Sequence, residues 1–184
     1  MGAGVSGGRK TVRVVIMGQA AFGEAVFRRL VSEGFEVVGV SAPAPSGGRE
    51  DPLWAAAMAA GMATVDTRTL KEADGQRRGG TLGADLCVMA FVTEIIPHEV
   101  LEMPRLGTIQ YHPSLLPLHR GSSAINWAII FGRKETGLTV FWPDRGIDTG
   151  PILLQKACPI GPDDTVGSLY FERLFPMGVD AMAE

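Results

Sequence analysis

The run TVRVVIMG, Thr11–Gly18, leads directly into QAAFGEAVFRRLVSEG, and this succession limits the folds open to the chain. The first run is β-branched and mostly apolar, which is typical of a strand covered on both faces. In the second run, Ala21, Ala25, Val26 and Leu30 recur at helical spacing. Phe22 and Phe27 flank this predicted stripe, and Gly34 is a natural stop. A buried strand followed at once by a helix predicts a sheet that carries helices on its faces.

The same alternation continues along the chain. Further strands are predicted at 35–40, 84–91, 106–112, 136–142 and 151–160, with a short one in MATVDT. Helices are predicted in PLWAAAMAAG, in PHEVLEMP, over Ser122–Gly132 with a serine cap and a glycine stop, and from Asp163 with a break around Pro176. Leu70–Gly83 is charged and glycine-rich, and no element is predicted there. The pattern predicts an α/β, Rossmann-like domain with a mostly parallel sheet, helices on both faces and ligands at the carboxyl ends of its strands.

Composition narrows the classes of function. The 184 residues suit one domain, and 46% hydrophobic residues suffice for a core. The net charge of −3 disfavours a nucleic-acid partner, which calls for a basic surface. The two cysteines match no zinc spacing and no metal site is predicted, and no apolar run is long enough to span a membrane. We expect a cytoplasmic protein, with residues 1–10 as a flexible glycine-rich arm and 11–184 as one catalytic domain.

The turn GQAAFG between the first strand and the first helix is a weak signal for a nucleotide. Gly18 and Gly23 bracket it, but Ala20 stands where a dinucleotide fingerprint has its third glycine. No acidic residue closes the second strand to bind a ribose. A structural or anion-binding role for these glycines is therefore favoured over a dinucleotide site.

The segment IQYHPSLLPLHRG, Ile109–Gly121, is the strongest candidate for chemistry. Side chains alternate along a strand, so Gln110 and His112 share one face and Tyr111 points to the other. Pro113 disfavours helical backbone at His112 and keeps the chain extended there. An imidazole at the carboxyl end of a sheet strand is therefore predicted to act as an acid or base. His119 is predicted to be exposed and without a chemical role, and His98 is predicted to begin a surface helix and to be neutral to function.

The loop DRGIDTG, Asp144–Gly150, is the best source of a carboxylate for His112. Its glycines, Gly146 and Gly150, are predicted to supply backbone angles that other residues resist. Asp148 lies between them, where a bend would aim its carboxylate inward and favour an imidazolium. The structural alternative is that Asp148 forms a turn by bonding its own backbone.

Together, IQYHPSLLPLHRGSSAINWAI and DRGIDTGPILLQ resemble the folate-dependent formyltransferase family. GQAAFG, FWPDRGIDTGPILLQ and ERLFPMG are similar to one subgroup, the amino-terminal hydrolase domain of 10-formyltetrahydrofolate dehydrogenase. The likeness covers most of 12–184 and is poorest over 41–83. It implies a Rossmann-like formyltransferase fold without a dinucleotide, 10-formyltetrahydrofolate as the formyl donor, and further domains beyond Glu184.

The resemblance also implies roles for individual residues. His112 matches the family's catalytic histidine and Asp148 its essential aspartate. The folate is expected against the segment after the 84–91 strand and against the Asp144–Asp148 loop, at Glu94, Ile95, Ile96, Asp144 and Asp148. Gln110 stands where most of the transferases have an oxyanion-binding asparagine and the hydrolase domain has an apolar residue.

The expected activity is removal of the formyl group from 10-formyltetrahydrofolate, by hydrolysis or by transfer to an acceptor, through His112, Asp148 and Gln110. Gln110 leaves the choice between water and an amine open. The alternatives are an amine-directed formyltransferase that acts on methionyl-tRNA or an amino sugar, a non-catalytic folate-binding domain, and a dinucleotide oxidoreductase. The family also implies a longer helix than Leu70–Gly83 allows, so this region is expected to be remodelled or incomplete.

Overall fold

The sheet confirms the predicted fold class. A computed structural model describes residues 11–184, so the arm predicted at 1–10 lies outside the described residues. Within them, seven strands form one sheet in the order β3-β2-β1-β4-β5-β6-β7. The strands are β1 Arg13–Gly18, β2 Glu36–Ala42, β3 Thr64–Asp66, β4 Leu86–Ala90, β5 Thr108–His112, β6 Glu135–Phe141 and β7 Ile152–Pro159. The pairs among β1–β5 are parallel, whereas β6 runs antiparallel to both β5 and β7.

Helices cover both faces of this sheet, as predicted. They are α1 Ala20–Ser32, α2 Pro52–Ala59, α3 Ala73–Thr81, α4 His98–Leu101, α5 Ala124–Ile130, α6 Val166–Leu169 and α7 Phe175–Ala183. On one face, α1, α2 and α7 form an apolar cluster with alternate residues of the strands. On the other, residues of α4 and of the turn before α3 pack against the remaining strand residues. The sheet therefore separates two cores, and the central strands β1 and β4 supply side chains to both.

The buried face of α1 differs from the predicted stripe by one position. Phe22, Val26 and Leu30 are buried, but Ala21 is exposed. The larger side chains face the sheet because they remove more apolar surface from water. The phenylalanines that were predicted to flank the stripe are therefore part of it.

The sequence pattern predicts no element at Leu70–Gly83, and this prediction is wrong. Thr67–Lys71 forms a 3-10 turn and α3 follows it at once. Gly75 is the buried residue of α3, and a Cβ there would lie 2.1 Å from the carbonyl oxygen of Thr69. The helix therefore packs through glycine backbone rather than through an apolar stripe, which is why the periodicity is missing from the sequence.

Two helix ends also differ from prediction. α5 begins at Ala124, and Ser123 precedes it with a left-handed φ of 63° and no side-chain capping bond. Gly132 ends this helix with a φ of 61°, as predicted. In the last segment, the break predicted around Pro176 is a π-helical turn over Tyr170–Leu174, which ends before the proline.

None of the helices in residues 11–184 has the length and apolarity needed to cross a membrane.

Candidate active site

Strand β5 presents different chemistry on its two faces. Ile109 and Tyr111 belong to the core under α1 and α7. On the opposite face, the Thr108 hydroxyl donates a hydrogen bond to a main-chain carbonyl of α4 at 2.7 Å. Because side chains alternate, Gln110 and His112 lie on the Thr108 face. The strand thus joins a packed core on one side to a polar surface on the other.

Both ring nitrogens of His112 face oxygen atoms. The Nε2 atom lies 2.9 Å from the carbonyl oxygen of His119, and Nδ1 lies 3.3 Å from Oδ2 of Asp148. The His112 side chain is only 7% exposed, so these oxygens take the place of water. A carbonyl only accepts hydrogen bonds, so Nε2 carries a hydrogen. Only the imidazolium form donates to both oxygens at once.

Asp148 reaches His112 from a left-handed backbone conformation, with a φ of 51°. Its side chain is 10% exposed, and the main-chain N–H of Gly121 donates to Oδ2 at 2.7 Å. The carboxylate therefore joins two loops, because it binds Gly121 and His112 through one oxygen. Its bonds within residues 11–184 leave the other oxygen, Oδ1, without a partner.

Asp144 stabilises the turn in the same loop. It accepts hydrogen bonds from the Gly146 N–H at 2.9 Å and from the Thr149 hydroxyl at 2.6 Å. The Thr149 bond is the main reason why the pKa of Asp144 lies below its usual value, and the Gly146 bond adds to it. The alternative role considered for Asp148, bonding its own turn, therefore belongs to Asp144, while Asp148 bonds outside the loop.

The Asp148 loop, residues 142–151, runs back along the face of the sheet. Phe141, the last residue of β6, pairs with Gln110, whereas Thr139 pairs with His112. Strand β6 therefore leaves the sheet beside Gln110, about 7 Å short of His112 along β5 at 3.3 Å per residue. The loop covers this distance over the polar face of β5 to bring Asp148 to His112.

The predicted reason for the glycines of this loop is wrong. Neither Gly146 nor Gly150 has a positive φ, and Asp148 itself holds the left-handed conformation. The glycines serve close approach instead, because a Cβ on Gly150 would lie 1.8 Å from the carbonyl oxygen of Trp142. A Cβ on Gly146 would likewise lie 2.0 Å from the hydroxyl of Thr149.

A buried polar network fixes the chain just after His112. The Thr139 hydroxyl donates to the carbonyl of Ser114 at 2.7 Å and accepts from the N–H of Leu116 at 3.0 Å. The Gln155 amide donates to the Thr139 hydroxyl and to the Leu116 carbonyl, each at 2.9 Å. Because Ser114 and Thr139 are fully buried, breaking this network would leave unpaired polar groups.

The prediction that His119 is exposed and without a role is wrong in its first part. His119 is half-buried, and its ring stacks on Phe131 with centroids 5.8 Å apart. Burial lowers the pKa of its imidazole, and the nearby Arg133 and His112 lower it further. His98 begins α4 as predicted and lies 3.2 Å from a carboxylate oxygen of Glu102.

The residues expected to contact folate follow β4 at its carboxyl end. Glu94 forms an ion pair with Lys71 at 2.7 Å, Ile95 is 82% exposed, and Ile96 is buried in the α4-side core. Alternate residues thus anchor an irregular segment and leave one apolar side chain open. The Gln110 side chain on the neighbouring strand makes no hydrogen bond within residues 11–184.

The turn between β1 and α1 shows why its glycines are present. A Cβ on Gly18 would lie 2.2 Å from the carbonyl oxygen of Ala90, so only glycine fits there. The N–H of Ala20, at the start of α1, donates to a carboxylate oxygen of Asp51 at 2.8 Å. A carboxylate at this helix start disfavours a phosphate by charge repulsion.

Within the described part of the chain, no three His, Cys, Asp or Glu side chains are grouped to hold a metal ion.

Comparisons with known proteins agree with this architecture. The formyl transferase family model matches residues 10–180. Mitochondrial 10-formyltetrahydrofolate dehydrogenase of Mus musculus is 44% identical over 183 residues, which is 96% of this chain and 20% of that protein. Methionyl-tRNA formyltransferase of Ruegeria pomeroyi is 38% identical over 179 residues, which is 94% of this chain and 59% of that protein.

The fold has a close structural counterpart. Glycinamide ribonucleotide transformylase 1 from Geobacillus kaustophilus superimposes with a TM-score of 0.80 at 22% identity, covering 95% of this chain and 96% of that one. The chain spans about a fifth of the length of the mouse relative. The family match over 10–180 confirms the resemblance inferred from the sequence, and the chain belongs to the formyl transferase family.

Proposed function

We propose that this chain removes the formyl group of 10-formyltetrahydrofolate by hydrolysis, with His112, Asp148 and Gln110 as its catalytic residues. The observation that carries the proposal is the enclosed pair of His112 and Asp148, with Nδ1 and Oδ2 3.3 Å apart beside the carboxyl ends of β4 and β5. An imidazole and a carboxylate held together out of water are suited to moving a proton during attack on a carbonyl carbon.

Each group has a separate task in the proposed reaction. The open Oδ1 of Asp148 accepts a hydrogen bond from the attacking water, orients it and takes up the proton that the water loses. A bond forms between the water oxygen and the formyl carbon, and the carbonyl electron pair moves to the formyl oxygen. Gln110 donates its amide hydrogen to this oxyanion, an interaction worth about 3–4 kcal/mol per donor. The carbon–N10 bond then breaks, N10 takes a proton from His112, and the products are tetrahydrofolate and formate.

The folate is proposed to lie between the segment after β4 and the Asp148 loop. Ile95 offers exposed apolar surface to a flat ring, while Lys71 and the core hold its neighbours Glu94 and Ile96. The irregular backbone of this segment leaves main-chain donors and acceptors for a pterin. Asp144 keeps the opposite loop in shape, as its bonds to Gly146 and Thr149 indicate.

Water is proposed as the acceptor, with an amine as the second candidate. The relatives include a dehydrogenase that is named for 10-formyltetrahydrofolate and a methionyl-tRNA formyltransferase. A net charge of −3 argues against a tRNA substrate for the chain as it stands. The relatives also include proteins that are named as cytosolic and as mitochondrial. A cytoplasmic location for this chain stays a prediction. Because the mouse relative is much longer, we propose that further domains act together with this one.

The test is a formate-release assay with 10-formyltetrahydrofolate and no added amine. We expect His112→Ala to bind the folate within about threefold of the parent and to lose turnover by about 10²–10⁴, the usual contribution of an acid–base group. Asp148→Asn, which keeps the shape of the side chain, should lose turnover similarly. His98→Gln is the matched control, because it removes a histidine that lies outside the pair.

Each outcome separates one alternative. Near-normal turnover by His112→Ala would overturn the proposed roles. Formyl transfer that requires methionyl-tRNA or an amino sugar would favour the amine-directed reaction. Folate binding without turnover in the parent chain would indicate a binding domain, and tight binding of NADPH would indicate a dinucleotide enzyme.

A further inference from the structure

The carbonyl of His119 is the hydrogen-bond partner of His112 on the side away from Asp148. The distance of 2.9 Å from Nε2 to this oxygen is that of a full N–H···O bond. Because the oxygen only accepts, the bond keeps a hydrogen on Nε2 in either charge state of the ring. The hydrogen on Nδ1, which faces Asp148, is then the one that can leave.

The backbone conformation of His119 and a hydrogen bond to the preceding carbonyl hold this carbonyl in place, and a ring stack lies beside them. His119 has a left-handed φ of 53°, which turns its carbonyl away from the path of an extended chain. Its ring stacks on Phe131, which in turn stacks on Trp127 of α5 with centroids 5.7 Å apart. The carbonyl before it, that of Leu118, accepts a hydrogen bond from the buried Ser114 hydroxyl at 2.6 Å.

We propose that His119 is a positioning residue that selects which nitrogen of His112 moves the proton. Its carbonyl keeps Nε2 protonated and oriented, so that Nδ1 gives its proton to N10 as the carbon–nitrogen bond breaks. His112 is then a neutral ring with its hydrogen on Nε2. The proton that the attacking water loses to Asp148 returns to Nδ1, which restores the imidazolium. The proton transfer rests on the proposed function, whereas the state of the two nitrogens does not.

The charged and titratable groups around the pair are few. Asp148 faces Nδ1, and the His119 imidazole lies on the Nε2 side with Arg133 near it.

The first experiment observes the imidazole nitrogens directly. The chain has three histidines, so ¹⁵N-histidine labelling gives a simple spectrum, which His98→Gln helps to assign. In the parent protein we expect Nε2 of His112 to stay protonated through the whole titration, while Nδ1 alone changes. A titration in which Nε2 of His112 loses its hydrogen would overturn the proposal. This measurement needs no turnover, so it separates a failure of this inference from a failure of the proposed reaction.

The second experiment changes the conformation of residue 119. His119→Asn keeps a side chain that tolerates the left-handed region, whereas His119→Val places a β-branched residue there. We expect the Asn variant to keep the parent ¹⁵N pattern and to turn over within about threefold of the parent. The Val variant should lose the fixed Nε2 hydrogen and at least about tenfold in kcat, with KM for 10-formyltetrahydrofolate unchanged.

A merely structural role for His119 would give a different result. Equal ¹⁵N patterns and equal kcat in the Val variant and the parent would overturn the proposal. A Val variant that does not fold leaves the titration of the parent protein as the deciding measurement.

Discussion

Asp164 binds three groups through a side chain that is only 8% exposed. The N–H of Gly161 donates to Oδ2 at 2.6 Å, Arg173 donates to the same oxygen at 2.5 Å, and the Ser168 hydroxyl donates to Oδ1 at 3.0 Å. The Gly161 bond is the main cause of the lowered pKa of this carboxyl, and Arg173 is the second. All three favour the charged form, so the folded state binds its proton less readily than the unfolded chain does.

Asp164→Asn should therefore lower stability in a pH-dependent way. A depressed carboxyl pKa adds stability above the unfolded value of 3.8, and this is lost as pH falls through the lower folded value. The difference in free energy of unfolding between parent and variant should be largest near neutral pH and shrink below about pH 4. Urea denaturation over a pH series measures it.

The neighbouring aspartate supplies the control for this prediction. Asp163 is exposed, so Asp163→Asn removes the same charge without breaking a buried bond. We expect it to change stability by less than about 0.5 kcal/mol across the same pH range. A difference for Asp164→Asn that is independent of pH would contradict the proposed charge dependence.

At the scale of elements, the Asp148 loop needs glycine at position 150 for its backbone to pack closely. The absent side chain of Gly150 allows the backbone to approach the carbonyl of Trp142, where a Cβ would lie at 1.8 Å. Gly150→Ala should displace the loop, lower stability by about 1–3 kcal/mol and reduce formate release, because Asp148 leaves its place beside His112. Thermal unfolding and the formate assay measure the two effects separately.

Gly80 is a matched position with the opposite expectation. It lies in α3, and a Cβ there would meet nothing within 4 Å. Gly80→Ala should raise stability by about 0.5–1 kcal/mol, since alanine loses less backbone entropy in a helix, and should leave formate release unchanged. Equal effects at the two glycines would show that close approach is not the reason for Gly150.

The elements also show which features can be predicted from sequence. Gln110 and Tyr111 lie on opposite faces of β5 because side chains alternate along any strand. This could be predicted without knowing which strands pair with β5. The helix α3 was not, because Gly75 packs its backbone on Thr69, and such contacts leave no periodicity. The meeting of His112 and Asp148 could be expected from a family likeness but not from spacing, since it depends on the direction of β6. The contact between the His119 carbonyl and His112 is made by a main-chain group, so no residue type in the sequence indicates it.

At the scale of the whole molecule, one sheet connects all the packed layers. The tryptophans lie on different elements, with Trp54 in α2, Trp127 in α5 and Trp142 at the start of the Asp148 loop. We expect tryptophan fluorescence and far-ultraviolet circular dichroism to follow the same urea transition, because cores that share the strands of one sheet unfold together. Two separated transitions would show that the carboxyl-terminal part unfolds independently of the sheet.

The path of the Asp148 loop has a consequence for how the reaction of such a domain can change in evolution. Both ends of the loop are set by the antiparallel pair β6 and β7, while the histidine sits on the adjacent strand. Insertions or deletions between these two ends would move the carboxylate and resize the space for an incoming nucleophile without altering any strand. Under the proposed function, a change confined to this one short connection would therefore be enough to replace one acceptor by another.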